Sequence, residues 1–483
     1  MKPTPEQEAI LSHVQNSSSN LIINALAGTG KTSTLRLIDA VLPSSLPCLY
    51  LAFNKRIVQE ALEPDDQGND KFRSLTTIRT FNSLGHSIWA NSIGPKLSLN
   101  TRKTNDLFKL AISEFSKDDQ KIAWEDYSLI ADGVNKAKAL GYVPEGKYEK
   151  AKRLIDKRSF VSTLDEAASD YVLDLIDAIL LLSIKSSYSG TIDFNDQIYM
   201  PALFGGTLPR YPLVLIDEAQ DLSPVNHALL RKLARGRLIA VGDPWQSIYG
   251  FRGAVQDGMA KLQNKFSMTP ADLSVSFRCP KVIVQNAQWR VPHLKWFKEG
   301  GYVERLQNIS INSIPDNSTI ICRNNAPLFK LALQLLVNKR GVSVAGSDLG
   351  PRIVGIMKKL GPDKMPKSEL EDEIETWRAE KTEKQSKSAD DIADCMRVFA
   401  NFGSTLGQAI AYADYLFKQT GSIQLLTGHK AKGLEFETVY HLDPWLIKDC
   451  NGSQEKNLRY VIQTRSKSRY FEIDSKDIKH EAA

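Results

Sequence analysis

The chain is 483 residues long, more than one hydrophobic core usually holds, so two or more domains with room for insertions are expected. Its residues, 42% hydrophobic and 24% charged, are those of an ordinary soluble globular protein. No run approaches about 18 apolar residues and the opening MKPTPEQEAI lacks the charged-then-apolar pattern of a signal peptide, so no membrane span or secretory leader is expected. A cytoplasmic location follows. The net charge of +6 is mild, and alone it is weak evidence for a nucleic-acid partner. Cys48, Cys279, Cys322, Cys395 and Cys450 lie far apart, with no CxxC pair and no histidine at zinc spacing. They are read as reduced and mostly buried.

In chain order, the first informative stretch is NALAGTGKTSTLRLIDAVLP, residues 24–43. NLIINA reads as a short buried strand, and KTSTLRLIDAVL carries Leu35, Ile38 and Leu42 at helical spacing. Strand, glycine loop and helix are the context a phosphate-binding loop requires. Gly28 and Gly30 let backbone N–H groups along Ala27, Thr29 and Ser33 converge on phosphate oxygens. Lys31 reaches the outer phosphates and the Thr32 hydroxyl can hold Mg²⁺. The helix dipole adds to the attraction. A chance glycine turn is the bland alternative, and the flanking strand and helix argue against it. Ala25 stands where the general pattern has its first glycine.

LPCLYLAF then reads as a buried strand. Residues 86–189 read as helical, with DYVLDLIDAILLLSIKSSY the clearest amphipathic run. Lys136 and Lys138, in NKAKALGYVP, read as a solvated face or a duplex contact. YPLVLIDEAQD, residues 211–221, is again a strand, Leu213 to Ile216, that delivers two carboxylates at its tip. Asp217 can bind Mg²⁺ through water while Glu218 polarises an attacking water. A solvated acidic turn would not explain the apolar run before them. LIAVGDPWQSIYGFRGA, residues 238–254, repeats strand then loop, with Gln246 placed to touch phosphate. Tyr249, Phe251 and Arg252 after it have the parts of a single-strand platform, rings for bases and a cation for the backbone. A core aromatic cluster is the other reading. RLIAVGD and DLSVSF complete the strands of a first sheet, while STIICRN, GVSVAG, IQLLTG, TVYHLD and RYFEID suggest a second. Apolar runs alternating with helical stretches favour parallel α/β. KSELEDEIETWRAEKTEKQSKSADD is a highly charged helical or mobile stretch between them. No internal repeat or long low-complexity segment occurs.

AGTGKT, IDEAQD, VGDPWQSIYGFRGA, SFRCP, TGHKAKGLEFETV and RYVIQTRSKSRYF stand in the order and spacing of the UvrD/Rep-like superfamily 1 DNA helicases. The chain resembles that family from about residue 4 to residue 472. AxxGxGKT is the form of the phosphate loop seen in helicases, and AFNK and TFNSLG look most like the F-box DNA helicase branch and its phage relatives. The resemblance implies two RecA-like P-loop domains with parallel sheets, ATP in the cleft between them and single-stranded DNA across their tops. On that basis residues 1–85 and 190–275 form the first domain, with 86–189 as its helical insertion. Residues 276–345 and 396–483 form the second, with 346–395 as a small charged insertion.

By the same resemblance, Gln7 reads the adenine edge and Phe277 stacks on the base. Arg278 and Arg465 are the two arginines that sense the γ-phosphate, stabilise charge in the transition state and turn hydrolysis into domain motion. Each has an alternative as a surface salt-bridge partner. Lys432, Gly433 and Glu435 link ATP state to DNA grip, Glu435 as the ribose contact. Thr427 and His429 lie on the DNA side of that loop, and Phe53, Asn54, Thr80 and Asn82 are the DNA contacts of the first domain. Two departures stand out. Ser33 follows GKT where many relatives place arginine, and Asn82 replaces the histidine of a TFHSL pattern.

The function implied is an ATP- and Mg²⁺-dependent DNA helicase that moves along single strands, 3′ to 5′, and engages single-strand/duplex junctions. A monomer in the cytoplasm, or in the nucleus of a eukaryote, is expected, with replication or recombination proteins as partners. One alternative is a translocase that strips proteins from DNA with little unwinding. Another is a non-catalytic DNA-binding scaffold, against which the intact Lys31, Asp217, Glu218, Gln246, Arg278 and Arg465 argue. Nothing in the sequence reads a 2′-OH, so an RNA track is disfavoured. No acidic cluster of nuclease type follows RYFEID, so no fused nuclease is expected.

Overall fold

The structure is a computed structural model that describes residues 2–65, 68–94, 96–164, 168–250, 257–345, 349–383, 389–448 and 453–479. It divides into two compact units, Met1–Ser274 and Val275–Ala483. Each is α/β with a six-stranded parallel sheet, as two RecA-like domains require.

In the first unit the strands are β1 (Leu21–Ala25), β2 (Cys48–Ala52), β3 (Thr76–Thr80), β4 (Tyr211–Ile216), β5 (Ala234–Gly242) and β6 (Thr269–Leu273). Their spatial order is β3-β2-β4-β5-β1-β6. Both faces of this sheet are buried, which is why its central strands read as unbroken apolar runs. Ile23, Tyr50 and Leu215 face a core that includes Leu35 and Ile38 of helix α2 (Lys31–Val41). The alternating residues Ile22, Leu49, Leu51 and Val214 face the other way, into a core shared with the helical segment. That core includes Phe108 of α3 (Lys103–Ala111), Ile130 of α4 (Tyr127–Leu140) and Ile176 of α5 (Asp170–Tyr188). The segment is thus an integral part of the unit's packing.

The second unit contains β7 (Tyr302–Leu306), β8 (Thr319–Cys322), β9 (Val342–Val344), β10 (Ile423–Thr427), β11 (Phe436–Leu442) and β12 (Ser466–Ile473), in the order β7-β12-β11-β8-β10-β9. Its core joins Ile320, Leu425 and Leu442 of the sheet to Phe329, Phe399 and Leu416 of the flanking helices. The charged stretch forms a helix over Lys367–Glu383; residues 384–388 lie outside the described part.

Three sequence expectations need correction. TTIRT and YVERL form edge strands that apolar periodicity did not mark, because each is half polar and pairs on one side only. DLSVSF is not one strand: Leu273 ends β6 in the first unit, and Val275–Ser276 pairs with Lys295–Trp296 in the second. Lys138 is no solvated residue, being 1% exposed and ion-paired to Asp193 and Asp196. Cys48, Cys279, Cys322 and Cys395 are buried free thiols, as expected; Cys450 lies outside the described residues. Among the described residues no helix is long and apolar enough to cross a membrane.

Candidate active site

The parallel strands of the first unit end along one edge, and the loops there gather the residues expected to form the phosphate site. Gly28 and Gly30 have φ of 73° and 81°, left-handed values that favour glycine, and Gly30 caps the N-terminus of α2. Thr29 closes the loop through its hydroxyl, which donates to the Leu26 carbonyl at 2.9 Å. Lys31 and Thr32 open the helix, so the helix dipole and both side chains act on the same small volume. Ser33, next along, is exposed.

Helix α1 (Pro5–Asn16) brings Gln7 to this loop. Thr4 and Gln7 cap each other reciprocally at the start of α1, which fixes the glutamine backbone. The Gln7 amide then donates to the Thr34 hydroxyl at 2.9 Å, and Thr34 in turn donates to the Gly30 carbonyl.

Asp217 stands at the tip of β4, fully buried. Its Oδ2 accepts from the Thr32 hydroxyl at 2.9 Å and from the Tyr50 phenol at 2.8 Å. Burial, and then the neighbouring Glu218 carboxylate, push the Asp217 carboxyl up to about 6 despite the opposing pull of Tyr50, Lys31 and Thr32. Glu218 has φ 53°, unusual for a residue with a Cβ. It is held there at both ends: its N–H donates to Asp217 Oδ1 at 2.9 Å, and its Oε2 accepts from Gln220 Nε2 at 2.6 Å. A strained, doubly anchored carboxylate beside a phosphate loop is an aimed group.

Gln220 extends the network, its Oε1 accepting the Asp243 N–H at 3.0 Å after β5. A Cβ on Gly242 would stand 2.5 Å from that oxygen, so the close approach requires glycine. Asp243 Oδ2 accepts from Gln246 Nε2 at 2.7 Å, fixing Gln246 in a buried position. Burial raises the Asp243 carboxyl, against the pull of the Lys31 ammonium. Tyr50, Gln220 and Asp243 are site residues that sequence reasoning missed. All three lie inside quoted stretches, and Tyr50 carries the one hydroxyl in CLYLA.

The residues expected on the DNA side of the first unit lie at the same edge. Phe53 follows β2, and its ring stacks on Tyr249 at 6.0 Å between centroids and 13° between planes. Asn54 and Thr80 cap the helices that begin at Lys55 and Phe81. Asn82 donates both amide hydrogens inward, to the Phe194 carbonyl at 2.8 Å and Gln197 Oε1 at 3.0 Å, so its amide hydrogens are engaged within the protein. Phe194, whose carbonyl accepts this bond and which is 55% exposed as a residue, carries no motif in the sequence. Only its aromatic type after a short strand hinted at it. Phe251 and Arg252 lie outside the described residues.

In the second unit Arg278, Glu435 and Arg465 converge. Arg278 Nε donates to Glu435 Oε2 at 2.8 Å, and Lys467 pairs with Glu435 Oε1 at 2.9 Å. Burial alone would raise the Glu435 carboxyl; Lys467 and Arg278 outweigh it and hold the group down at about 2. Arg465 is 1% exposed, its guanidinium donating to the Val461 carbonyl at 2.9 Å and the Leu434 carbonyl at 3.1 Å. Phe277 packs at 5.1 Å from Phe297. Gly433 and Glu435 are exposed and Lys432 half-buried after the helical turn Gly428–Ala431, which carries His429 and is preceded by Thr427.

The chain is similar to known proteins over nearly all of its length. Residues 4–267 match the model of the UvrD/REP helicase N-terminal domain. The chain is 25% identical to F-box DNA helicase protein 1 of Schizosaccharomyces pombe, over 98% of this chain and 57% of the relative. It is 25% identical to F-box DNA helicase 1 of Gallus gallus, over 97% and 48%. With DNA helicase IV of Escherichia coli it shares 28% identity over 58% and 46%. The chain therefore spans about half the length of the relatives it matches. With more than half its residues inside the family model, the chain belongs to the UvrD/REP helicase family.

Proposed function

We propose that the chain is an ATP-dependent motor that moves along single-stranded DNA, 3′ to 5′, and separates duplex strands. The observation that carries this reading is the linked set in the first unit, from Gln7 and the phosphate loop through Asp217, Glu218 and Gln220 to Gln246. Its parts divide as phosphoryl transfer requires: backbone N–H groups and Lys31 hold phosphate, Glu218 orients and deprotonates water, and Gln246 touches the transferred group. Thr32 and Asp217, which face each other at 2.9 Å, are the residues that would hold Mg²⁺, the aspartate through water. The ion would supply charge neutralisation on the phosphates. The Thr32 hydroxyl would offer the ion an oxygen lone pair while its hydrogen stays on Asp217.

On the DNA side, Phe53, Tyr249 and exposed Phe194 are the proposed stacking platform, with Asn82 positioning Phe194. The roles of Arg278 and Arg465 at the γ-phosphate, of Phe277 at adenine, and of Glu435, Thr427 and His429 follow from the resemblance and are part of the proposal. The names of the relatives, DNA helicases, favour DNA over RNA. The test is strand separation on duplexes with a 3′ tail, a 5′ tail or blunt ends. Opening of the 3′-tailed duplex alone is expected. Equal opening of the 5′-tailed duplex would overturn the polarity, and ATP turnover without any strand opening would favour a protein-stripping translocase.

A further inference from the structure

The nucleotide-site residues stand at the C-terminal ends of β4 and β5. At the opposite ends of the same strands, about 20 Å away by the rise of a six-residue strand, the first unit has a second concavity. It is a pocket of about 760 Å³. Six cationic side chains line it: Lys152, Arg210, Arg231, Lys232, Arg235 and Lys265. No carboxylate and no aromatic ring is among the lining residues.

Helix dipoles explain part of this. Arg231 and Lys232 lie in the last turn of the helix Pro224–Leu233 and Lys265 in the last turn of Gly258–Phe266, where cations meet free carbonyls. They do not explain the rest, since Lys152, Arg210 and Arg235 come from outside these helices. Among the described residues none of the six makes an ion pair, and Lys232 alone spends its ammonium on a carbonyl, that of Pro201 at 3.1 Å. Lys232 is lowered by burial and by Lys152, and Lys265 by burial and by Arg231. His227, buried on the same helix as Arg231, is pushed down to about 4 by burial, Lys265 and Lys261. These cations repel one another inside a concave wall, which focuses positive potential on whatever enters.

We propose that this pocket is a second nucleic-acid site, which grips the phosphodiester backbone of duplex DNA. Guanidinium forks without intervening carboxylates suit phosphate oxygens. The lack of aromatic rings excludes base stacking, the usual means of holding a single strand, so the backbone of a duplex is the better fit. That the polyanion is DNA rests on the motor reading above. The site itself does not: it lies across the sheet from the phosphate loop and needs no nucleotide.

The test is binding of a blunt duplex, without nucleotide and over a salt series, to the parent chain and to the triple variant Arg210→Gln, Arg231→Gln, Arg235→Gln. All three side chains are exposed, so the variant should melt with the parent. The variant should bind duplex at least tenfold more weakly at low salt. The slope of log affinity against log salt should fall by about 2 to 3, near 0.9 for each phosphate no longer neutralised. Affinity for oligo(dT) and ATP turnover stimulated by it should stay at the parental level. Parental duplex affinity and slope in the triple variant would overturn the proposal. Two competitions at matched ionic strength guard its chemistry. Displacement of duplex by tripolyphosphate at equal charge concentration would make this a small-anion site, and equal displacement by polyglutamate an acidic-peptide site; either would overturn it. Loss of ATP turnover in the parent would overturn the motor reading and leave these binding outcomes intact.

Discussion

Asp217 shows how a residue of the candidate site can work against the stability of its own fold. Its carboxyl rises from an ordinary value near 4 to about 6 on folding, with burial the main cause. Below pH 4 it is protonated in both the folded and unfolded chain. As pH climbs towards 6 the unfolded chain ionises first, so the contribution of this group to stability is lost across that window. At neutral pH the buried charge should cost on the order of 3 kcal/mol in the nucleotide-free protein. Asp217→Asn should therefore raise the melting temperature at pH 7.5 by several degrees while abolishing ATP turnover, and the gain should vanish at pH 4. A variant that melts lower at pH 7.5 would show that the Tyr50 and Thr32 hydrogen bonds outweigh the desolvation. Two activity predictions belong beside it. Lys31→Ala should abolish hydrolysis and leave DNA binding intact, and turnover within tenfold of the parent would remove Lys31 from the site. Glu218→Gln should bind ATP and hydrolyse it about 10² to 10⁴ times more slowly, because the amide keeps the shape and loses the base; a collapse of ATP affinity with normal turnover would make Glu218 a ligand instead.

Among elements, the turn between Ile192 and the helix Asp196–Phe204 shows what a sequence does not display. Lys103 of α3 and Lys138 of α4 are both buried, and their ammoniums meet the Asp196 carboxylate at 2.6 and 2.7 Å. Lys138 also pairs with Asp193 at 2.6 Å, and Lys103 donates to Ser187 and to the Ser183 carbonyl on α5. Three helices of the helical segment are thus tied to the turn that presents Phe194. Asp196→Ala would leave two buried ammoniums short of a counter-ion and should cost about 3 to 5 kcal/mol, read by urea unfolding. A loss below about 1 kcal/mol would mean that water screens the network. Lys138 had looked like surface because its acidic partners are far along the chain and only folding brings them together. The same holds for TTIRT, whose polar alternation marks an edge and not a core. Lys31, Asp217 and Glu218, by contrast, were legible, because parallel α/β packing always sends strand ends to one edge and the motifs sit at those ends. The links between them were not, since Tyr50, Gln220 and Asp243 act through side-chain geometry that no spacing encodes.

At the scale of the molecule, two α/β units share one design and carry different parts of the candidate site. The first carries the phosphate loop, the paired carboxylates and the aromatic edge; the second carries the Arg278–Glu435–Lys467 cluster and the buried Arg465. The first unit also has two faces of different chemistry. At one edge of its sheet, strand ends and loops gather acids and aromatics around the candidate nucleotide site, and at the other the charged side chains that line the concave wall are all cations. A motor in this fold is defined by coupling: hydrolysis must respond to the track. ATP turnover measured against increasing oligo(dT) tests that most directly. Turnover should rise at least about tenfold to a plateau, and Glu218→Gln should abolish the rise. Turnover that proceeds at the same rate with and without the single strand would contradict the coupling.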